Sequence, residues 1–301
     1  MTAGPAIKLG NAPVSYGVFG DLDLAGVTTP ARTLQTMADA GYAGSELGPP
    51  AFFGGPQGAG EAFSAAGLVG IGTYVPLHTQ DDGAVLARDL QRMRQSIAEV
   101  AAVNPGGLVI LADEGDDTLL ANPCHRPELG LDEPGWQRLA EVVQAAADEV
   151  RAAGLTASFH PHLCTYVESP AEIEQLLART DLDLTFDVAH VVMGGGDAVA
   201  DLGRWWSRTN HLHIKDVRLG VLRQAVESGR SDVDEWWGNL CTPLGDGDLD
   251  LVGFLAAVQA HGYDGWLVVE QDSAPVTAAT LAQVNADQQH NLDWLRRHLD
   301  P

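Results

Sequence analysis

The sequence predicts an α/β protein, a (β/α)8 barrel. Three observations carry that expectation. Short apolar runs alternate about eight times with longer amphipathic runs along 301 residues. Several of the apolar runs end in histidine or a carboxylate, and in such a barrel the chemistry sits at the C-terminal ends of the strands. No G-x-G-x-x-G or P-loop follows any strand, which counts against a doubly wound open sheet.

The elements follow in order. Ala12–Phe19 reads as the first strand. Thr29-Pro30 opens a helix, because proline suits a first helical turn, and Gly41 stops it after about Ala40. Gly44–Leu47 is the second strand, followed by the loop Gly48-Pro49-Pro50. A short helix at about Gly60–Ala66 leads to the third strand, Val69–Leu77. Ala84–Val103 is a long helix with the apolar stripe Val85, Leu86, Leu90, Met93, Ile97 and Val100. Gly107–Ala112 is the fourth strand. The helix Trp136–Ala153 ends at Gly154, and the fifth strand, Thr156–Phe159, follows at once. Ser169 caps the next helix, with Glu172 three residues on as its capping-box partner. Leu182–Phe186 is the sixth strand and His211–Ile214 the seventh. Between them lie the turn Gly194-Gly195-Gly196 and a helix ending near Trp205-Trp206. Residues 217–247 break the rhythm, and a connection of that length is usually functional or interfacial. The helix Leu249–His261, the eighth strand Gly265–Glu270 and the helix Ala278–His298 complete one domain, 1–301, with a long insertion near 217–247.

Composition bounds the function. The chain is 45% hydrophobic and 19% charged, enough for a large core. Seventeen basic residues against 41 acidic ones leave a net charge of −24. Such a surface repels phosphate backbones, so nucleic acid is not an expected partner. Cys124, Cys164 and Cys241 are widely spaced, with no C-x-x-C, so no disulfide framework is expected and a reducing cytoplasm is the default. Met1–Gly10 lacks the pattern of a signal peptide, and no run reaches the roughly 18 apolar residues that span a membrane.

The strand ends hold the candidate site. The fifth ends in His160-Pro161-His162, whose two imidazoles alternation places on one side. The sixth ends in Asp187-Val188-Ala189-His190 and the seventh in Lys215-Asp216, after His211 and His213 on one face. The last ends in Glu270-Gln271-Asp272. Imidazole and carboxylate together suit one divalent ion such as Mn²⁺, Co²⁺ or Zn²⁺. Asp187 could instead cap the following turn, and His211 could lie a layer deeper as a hydrogen-bonded core residue. Lys215 and Asp216 could be a solvated pair. Glu46, ending the second strand, could form an ion pair in the barrel mouth or serve as acid/base. Tyr74, His78, Asp113 and Glu114 stand near strand ends as candidates for contacts to substrate hydroxyls. Trp236 and Trp237 read as core or interface aromatics, with sugar stacking as the alternative.

These residues resemble a family, the xylose-isomerase-like TIM barrels of sugar isomerases, epimerases and endonuclease IV, and within it the inosose dehydratase branch. The resemblance covers nearly the whole chain. It rests on Asn11–Tyr16, Gly41–Pro50, Val75–His78, Leu108–Asp113, His160-Pro161-His162 with Thr165, Phe186–His190, His211–Asp216, Gly245–Gly247 and Gly262–Asp272. It implies one divalent ion, with Mn or Co expected first and Mg or Zn as alternatives, held by Asp187, His213 and Glu270. The fourth ligand is glutamate in many relatives, and here that position is His160. It further implies a lyase acting on a keto-inositol such as 2-keto-myo-inositol, by α-proton abstraction, a metal-stabilised enediolate and loss of water. Glu46, His190 and Lys215 are the candidates for the proton transfers. His162, His78 and Tyr74 are those for substrate contacts. The alternatives are a metal-dependent sugar isomerase or epimerase, disfavoured by His160 in place of glutamate, and a catalytically silent sugar-binding barrel. The expected partner is a small polyol ketone or sugar, and a homo-oligomer is compatible with the sequence.

Overall fold

The structure, a computed structural model, describes residues 7–18, 27–81, 83–124, 127–229, 233–272 and 276–299. Among the described residues ten strands are formed: β1 Lys8–Asn11, β2 Gly44–Leu47, β3 Val69–Leu77, β4 Leu108–Asp113, β5 Thr156–Phe159, β6 Asp183–Asp187, β7 Thr209–Ile214, β8 Asp216–Val217, β9 Cys241–Thr242 and β10 Trp266–Val269. Eight of them close a parallel barrel in the order β1-β10-β7-β6-β5-β4-β3-β2. The remaining two, β8 and β9, form a small antiparallel ribbon. The (β/α)8 expectation holds.

Local chemistry accounts for most boundaries. Thr29 accepts a hydrogen bond from the Arg32 amide in front of Pro30–Ala40, and Gly41 ends that helix at φ 102°, a conformation that favours glycine. Both halves of the Ser169/Glu172 capping box are present. Asp132 caps Glu133–Ala152 three residues before the expected start at Trp136. In β2, a Cβ on Gly44 would lie 2.7 Å from the Trp266 ring and 2.8 Å from the Val69 carbonyl, so the barrel closes here only around glycine.

One expectation about the elements needs correcting. The first strand is Lys8–Asn11, not Ala12–Phe19. Pro13 offers no amide to a ladder, and Pro13–Tyr16 instead makes a 3-10 turn that buries Tyr16 and ends on Gly17 at φ 83°. The end of the expected strand, Phe19, lies outside the described residues, as do Met1–Ala6 of the leader reading. Residues 217–247, the expected long connection, carry the helices Leu219–Ser228 and Val233–Leu240 between the two ribbon strands, with residues 230–232 outside the description.

The main core lies between the barrel and its helices. A second, smaller core, including Leu163, Cys164, Met193, Val217, Leu222, Trp236 and Leu240, seats the insertion on the rim beside the ends of β5 and β6. Among the described residues no helix is long and apolar enough to cross a membrane.

Candidate active site

Register places the site. Asp187 is the direct partner of His213 across β6 and β7, and Val268 of β10 is its partner on the other side. The ladders continue past the strand ends: the His160 amide donates to the Leu111 carbonyl at 2.8 Å, and the Glu270 amide to Ile214 at 3.1 Å. Four strand ends therefore converge. His160, Asp187, His213 and Glu270 each offer one ligand atom, and these four atoms lie within 4.8 Å of one another. His160 Nε2 is 3.9 Å from Asp187 Oδ2, His213 Nδ1 is 3.9 Å from the same oxygen, and His213 Nδ1 is 3.2 Å from Glu270 Oε2.

Hydrogen-bond accounting shows which atoms are held back. Asp187 Oδ1 accepts the amides of Ala189 and His190, capping the short helix Val188–Met193, while its Oδ2 is buried with no hydrogen bond. His213 Nε2 meets Glu46 Oε1 at 2.9 Å, while its Nδ1, though close to Glu270, is buried without an aligned hydrogen bond. Unsatisfied buried polar atoms are costly and rare. Two in one cluster, beside a second imidazole and a second carboxylate, fit a divalent cation. The supporting bonds agree, because a metal-bound histidine commonly gives its other N–H to a carbonyl or carboxylate. His160 Nδ1 stands 2.7 Å from the Pro161 carbonyl, and His213 Nε2 faces Glu46.

The flanking groups are equally buried. Glu46 Oε1 takes both His211 Nε2 and His213 Nε2 at 2.9 Å. Burial alone would raise the Glu46 pKa, but the two imidazoles outweigh it and bring it down to about 2. Burial opposes charge on His213, yet Glu270 and Glu46 raise its pKa well above the ordinary value, so metal binding at Nδ1 competes with a proton. Lys215 is buried against Asp272 at 3.1 Å, Glu270 at 3.2 Å and Asp187 at 3.8 Å. These carboxylates outweigh its burial and keep it an ammonium. Burial, followed by neighbouring positive charge, holds His160 down at about 4 and His162 at about 3.

A cavity of about 670 Å³ opens over this cluster, lined among others by Glu46, Tyr74, Glu114, His160, His162, Lys215, Trp237 and Glu270. Tyr74 meets His160 edge to face at 6.1 Å between centroids. Trp237, from the insertion, lies over His162 at 5.7 Å and donates its indole N–H to Asp272.

The sequence-predicted residues thus fall into three groups. His160, Asp187, His213 and Glu270 form the cluster. Glu46, His162, His190, Lys215 and Tyr74 border it. His78 is turned aside, its Nδ1 2.7 Å from Asp89 Oδ2. His211 is the buried, hydrogen-bonded residue one layer down. Lys215 and Asp216 are both buried and not a solvated pair; Asp216 instead accepts the amides of Val217, Gly245, Gly247 and Leu249. Sequence reasoning missed Asp272, the carboxylate that ties Lys215 to Trp237. Its spacing two residues beyond Glu270 was the available signal.

Comparison with known proteins follows the geometry. Residues 34–298 match the family model described as xylose isomerase-like TIM barrel. The chain is 26% identical to an inosose dehydratase of Salmonella typhimurium over 98% of each chain. It is 31% identical to the rhizopine catabolism protein MocC of Rhizobium meliloti, over 92% of this chain and 85% of that one. Among solved structures, IolI with a bound zinc atom superposes with a TM-score of 0.70 at 14% identity, covering 98% of this chain and all of that one. An L-ribulose 3-epimerase superposes at 0.69 and 18% identity, covering 98% and 95%. At those identities the structural likeness speaks for the fold alone.

Proposed function

The chain belongs to the xylose isomerase-like TIM barrel family, and from that premise we propose that it is a metal-dependent carbon–oxygen lyase, a dehydratase of a keto-inositol such as 2-keto-myo-inositol. The reading is carried by one observation: a chain similar end to end to inosose dehydratases has four metal-ligand atoms converging under its cavity, two of them buried and unsatisfied. His160 Nε2, Asp187 Oδ2, His213 Nδ1 and Glu270 would hold one divalent ion, Mn²⁺ or Co²⁺ before Zn²⁺ or Mg²⁺. When bound, the ion supplies Lewis-acid polarisation of the ketone oxygen.

The chain's own residues supply the rest. Glu46 keeps His213 oriented through its Nε2–H, and His211 helps to hold that carboxylate in place. Its Oε1 is committed to two imidazoles, and through that oxygen Glu46 supports the site. Lys215 brings an ammonium next to Glu270 and Asp187, where it can stabilise negative charge that develops on a substrate oxygen. Tyr74 and His162 line the cavity where hydroxyls would sit. Trp237 closes the wall above His162, which keeps water from the reacting carbon.

The test is direct. The purified protein is expected to hold one divalent ion per chain and to release water from 2-keto-myo-inositol. Chelation should abolish turnover, and Mn²⁺ or Co²⁺ should restore it. Solvent deuterium uptake into ketoses without loss of water would mean an isomerase or epimerase. No stoichiometric ion and no turnover of any keto-inositol would leave a silent barrel.

A further inference from the structure

His162 and His190 stack with ring centroids 3.9 Å apart and planes 33° from parallel. The backbone of one residue, Leu163, contacts both. Its amide N–H donates to His190 Nδ1 at 3.1 Å, and its carbonyl faces His162 Nδ1 at 2.8 Å. An amide can only donate and a carbonyl can only accept, so the two contacts dictate where each ring carries its hydrogen. His190 Nδ1 receives a hydrogen bond and must be bare, which puts the ring proton on Nε2. His162 Nδ1 gives a hydrogen bond and must carry the proton, which leaves an unshared pair on Nε2.

We propose that the Leu163 backbone locks these stacked imidazoles into opposite tautomers, making His162 the proton acceptor of the pair and His190 the fixed hydrogen-bond donor. The surroundings agree. His162 lines the cavity, and its Nε2 has no hydrogen-bond partner among the described residues. His190 Nε2 lies 3.4 Å from Lys215 Nζ, whose ammonium has Asp272 at 3.1 Å and Glu270 at 3.2 Å as acceptors; that longer contact competes for the ring, and the shorter, aligned bond from the Leu163 amide to Nδ1 prevails over it. Two donors side by side suit one acceptor, an oxygen on the substrate. Trp237 covers both rings, at 5.7 Å and 6.1 Å, and holds the stack together. His190 is therefore excluded as the base. Abstraction of the substrate α-proton breaks a C–H bond, forms N–H at His162 Nε2, and leaves the electron pair with the adjacent carbonyl system.

The catalytic half of this inference rests on the dehydratase reading; the tautomers do not. Long-range ¹H–¹⁵N correlation on protein labelled at histidine, with His162→Gln and His190→Gln for assignment, should show Nδ1–H at His162 and Nε2–H at His190. Like tautomers on the two rings would overturn the lock. In D₂O, His162→Ala should slow disappearance of the α-proton signal of 2-keto-myo-inositol by at least about 10²-fold while one metal per chain is retained. His190→Ala, which loses a donor to the substrate oxygen but not the proton acceptor, should slow that step by about tenfold, clearly less than His162→Ala does. The reverse pattern, or a His162→Ala rate within threefold of wild type, would overturn the assignment. A wild-type protein inert toward every keto-inositol would instead sink the dehydratase reading, and the spectrum would still decide the tautomers.

Discussion

Asp113 at the end of β4 and Asp187 at the end of β6 are the same residue type at the same place in a βα unit, each 1% exposed. Their oxygens are treated differently. Asp113 Oδ1 accepts the Thr79 hydroxyl, and Oδ2 accepts the amides of Gly115 and Tyr166. Asp187 spends Oδ1 on two amides and leaves Oδ2 bare. A carboxylate with both oxygens bonded is part of the scaffold. One with a buried, unused oxygen beside an unused imidazole nitrogen has affinity in reserve for something else. Position at a strand end nominates a residue, and hydrogen-bond accounting separates scaffold from chemistry.

The largest expected effect tests that contrast head on. Asp187→Asn keeps an oxygen for the two amides and removes the charge that faces the cluster. Turnover should fall by about 10³-fold or more and metal content to near zero, because several kcal/mol of charge stabilisation is lost. Thermal stability of the metal-free protein should change little, since Oδ2 makes no hydrogen bond and Lys215 keeps Asp272 and Glu270 as its nearer partners. Asp113→Ala should do the opposite, keeping the metal and losing about 1–3 kcal/mol of stability from two amides and a hydroxyl left without their acceptor. Metal analysis, turnover and denaturant melts on the two variants give the crossed pattern. Equal behaviour of the two would break the comparison.

Glu46 sharpens it, because its Oε1 meets both the buried His211 and the proposed ligand His213. Glu46→Ala should weaken metal affinity about 10- to 100-fold, the usual cost of losing the partner that orients a ligating histidine. Glu46→Gln, whose amide oxygen can still accept from His213, should recover part of that loss. Competitive titration with a chelator measures both. Unchanged affinity in Glu46→Ala would assign Glu46 to the scaffold alone.

How much of this was readable beforehand follows the same division. Strand alternation and the residue that ends each strand are properties of the local chain, so the barrel, the positions of His160, Asp187, His213 and Glu270, and the Ser169/Glu172 cap could be read without coordinates. Which partner each polar atom finds is not local. Glu46 meets His211 and His213 across 165 and 167 residues, and Asp272 reaches Lys215 across 57. The first strand was misread for another reason. Val14, Tyr16 and Val18 have strand-like character, and the missing amide of Pro13 overrides it. His78 was nominated by position and diverted by Asp89, a residue of the neighbouring helix Ala84–Val103.

The smallest effect compares the β4 and β5 ends through pH. Burial, its largest cause, lowers the His160 pKa from 6.5 to about 4. Between those values the unfolded chain binds a proton that the folded protein refuses, so stability falls as pH drops through that window. Glu114 runs the other way. Loss of solvent around it raises its pKa from 4.5 to about 7, with Asp113 and Asp89 adding to the rise. Between pH 4.5 and 7 the folded protein keeps a proton that the unfolded chain has lost, so stability falls as pH rises. Over roughly pH 4.5 to 6.5 the two slopes oppose one another in the metal-free protein. Glu114→Gln removes one of them. Its melting temperature should therefore drop more steeply than wild type between pH 6.5 and 5, with the two curves meeting below pH 4.5, where Glu114 becomes protonated in both states. Superimposable profiles across the whole range would mean that Glu114 titrates as an ordinary surface carboxyl, and that the wall of the cavity formed by the β4 end is far wetter than the imidazole wall it faces.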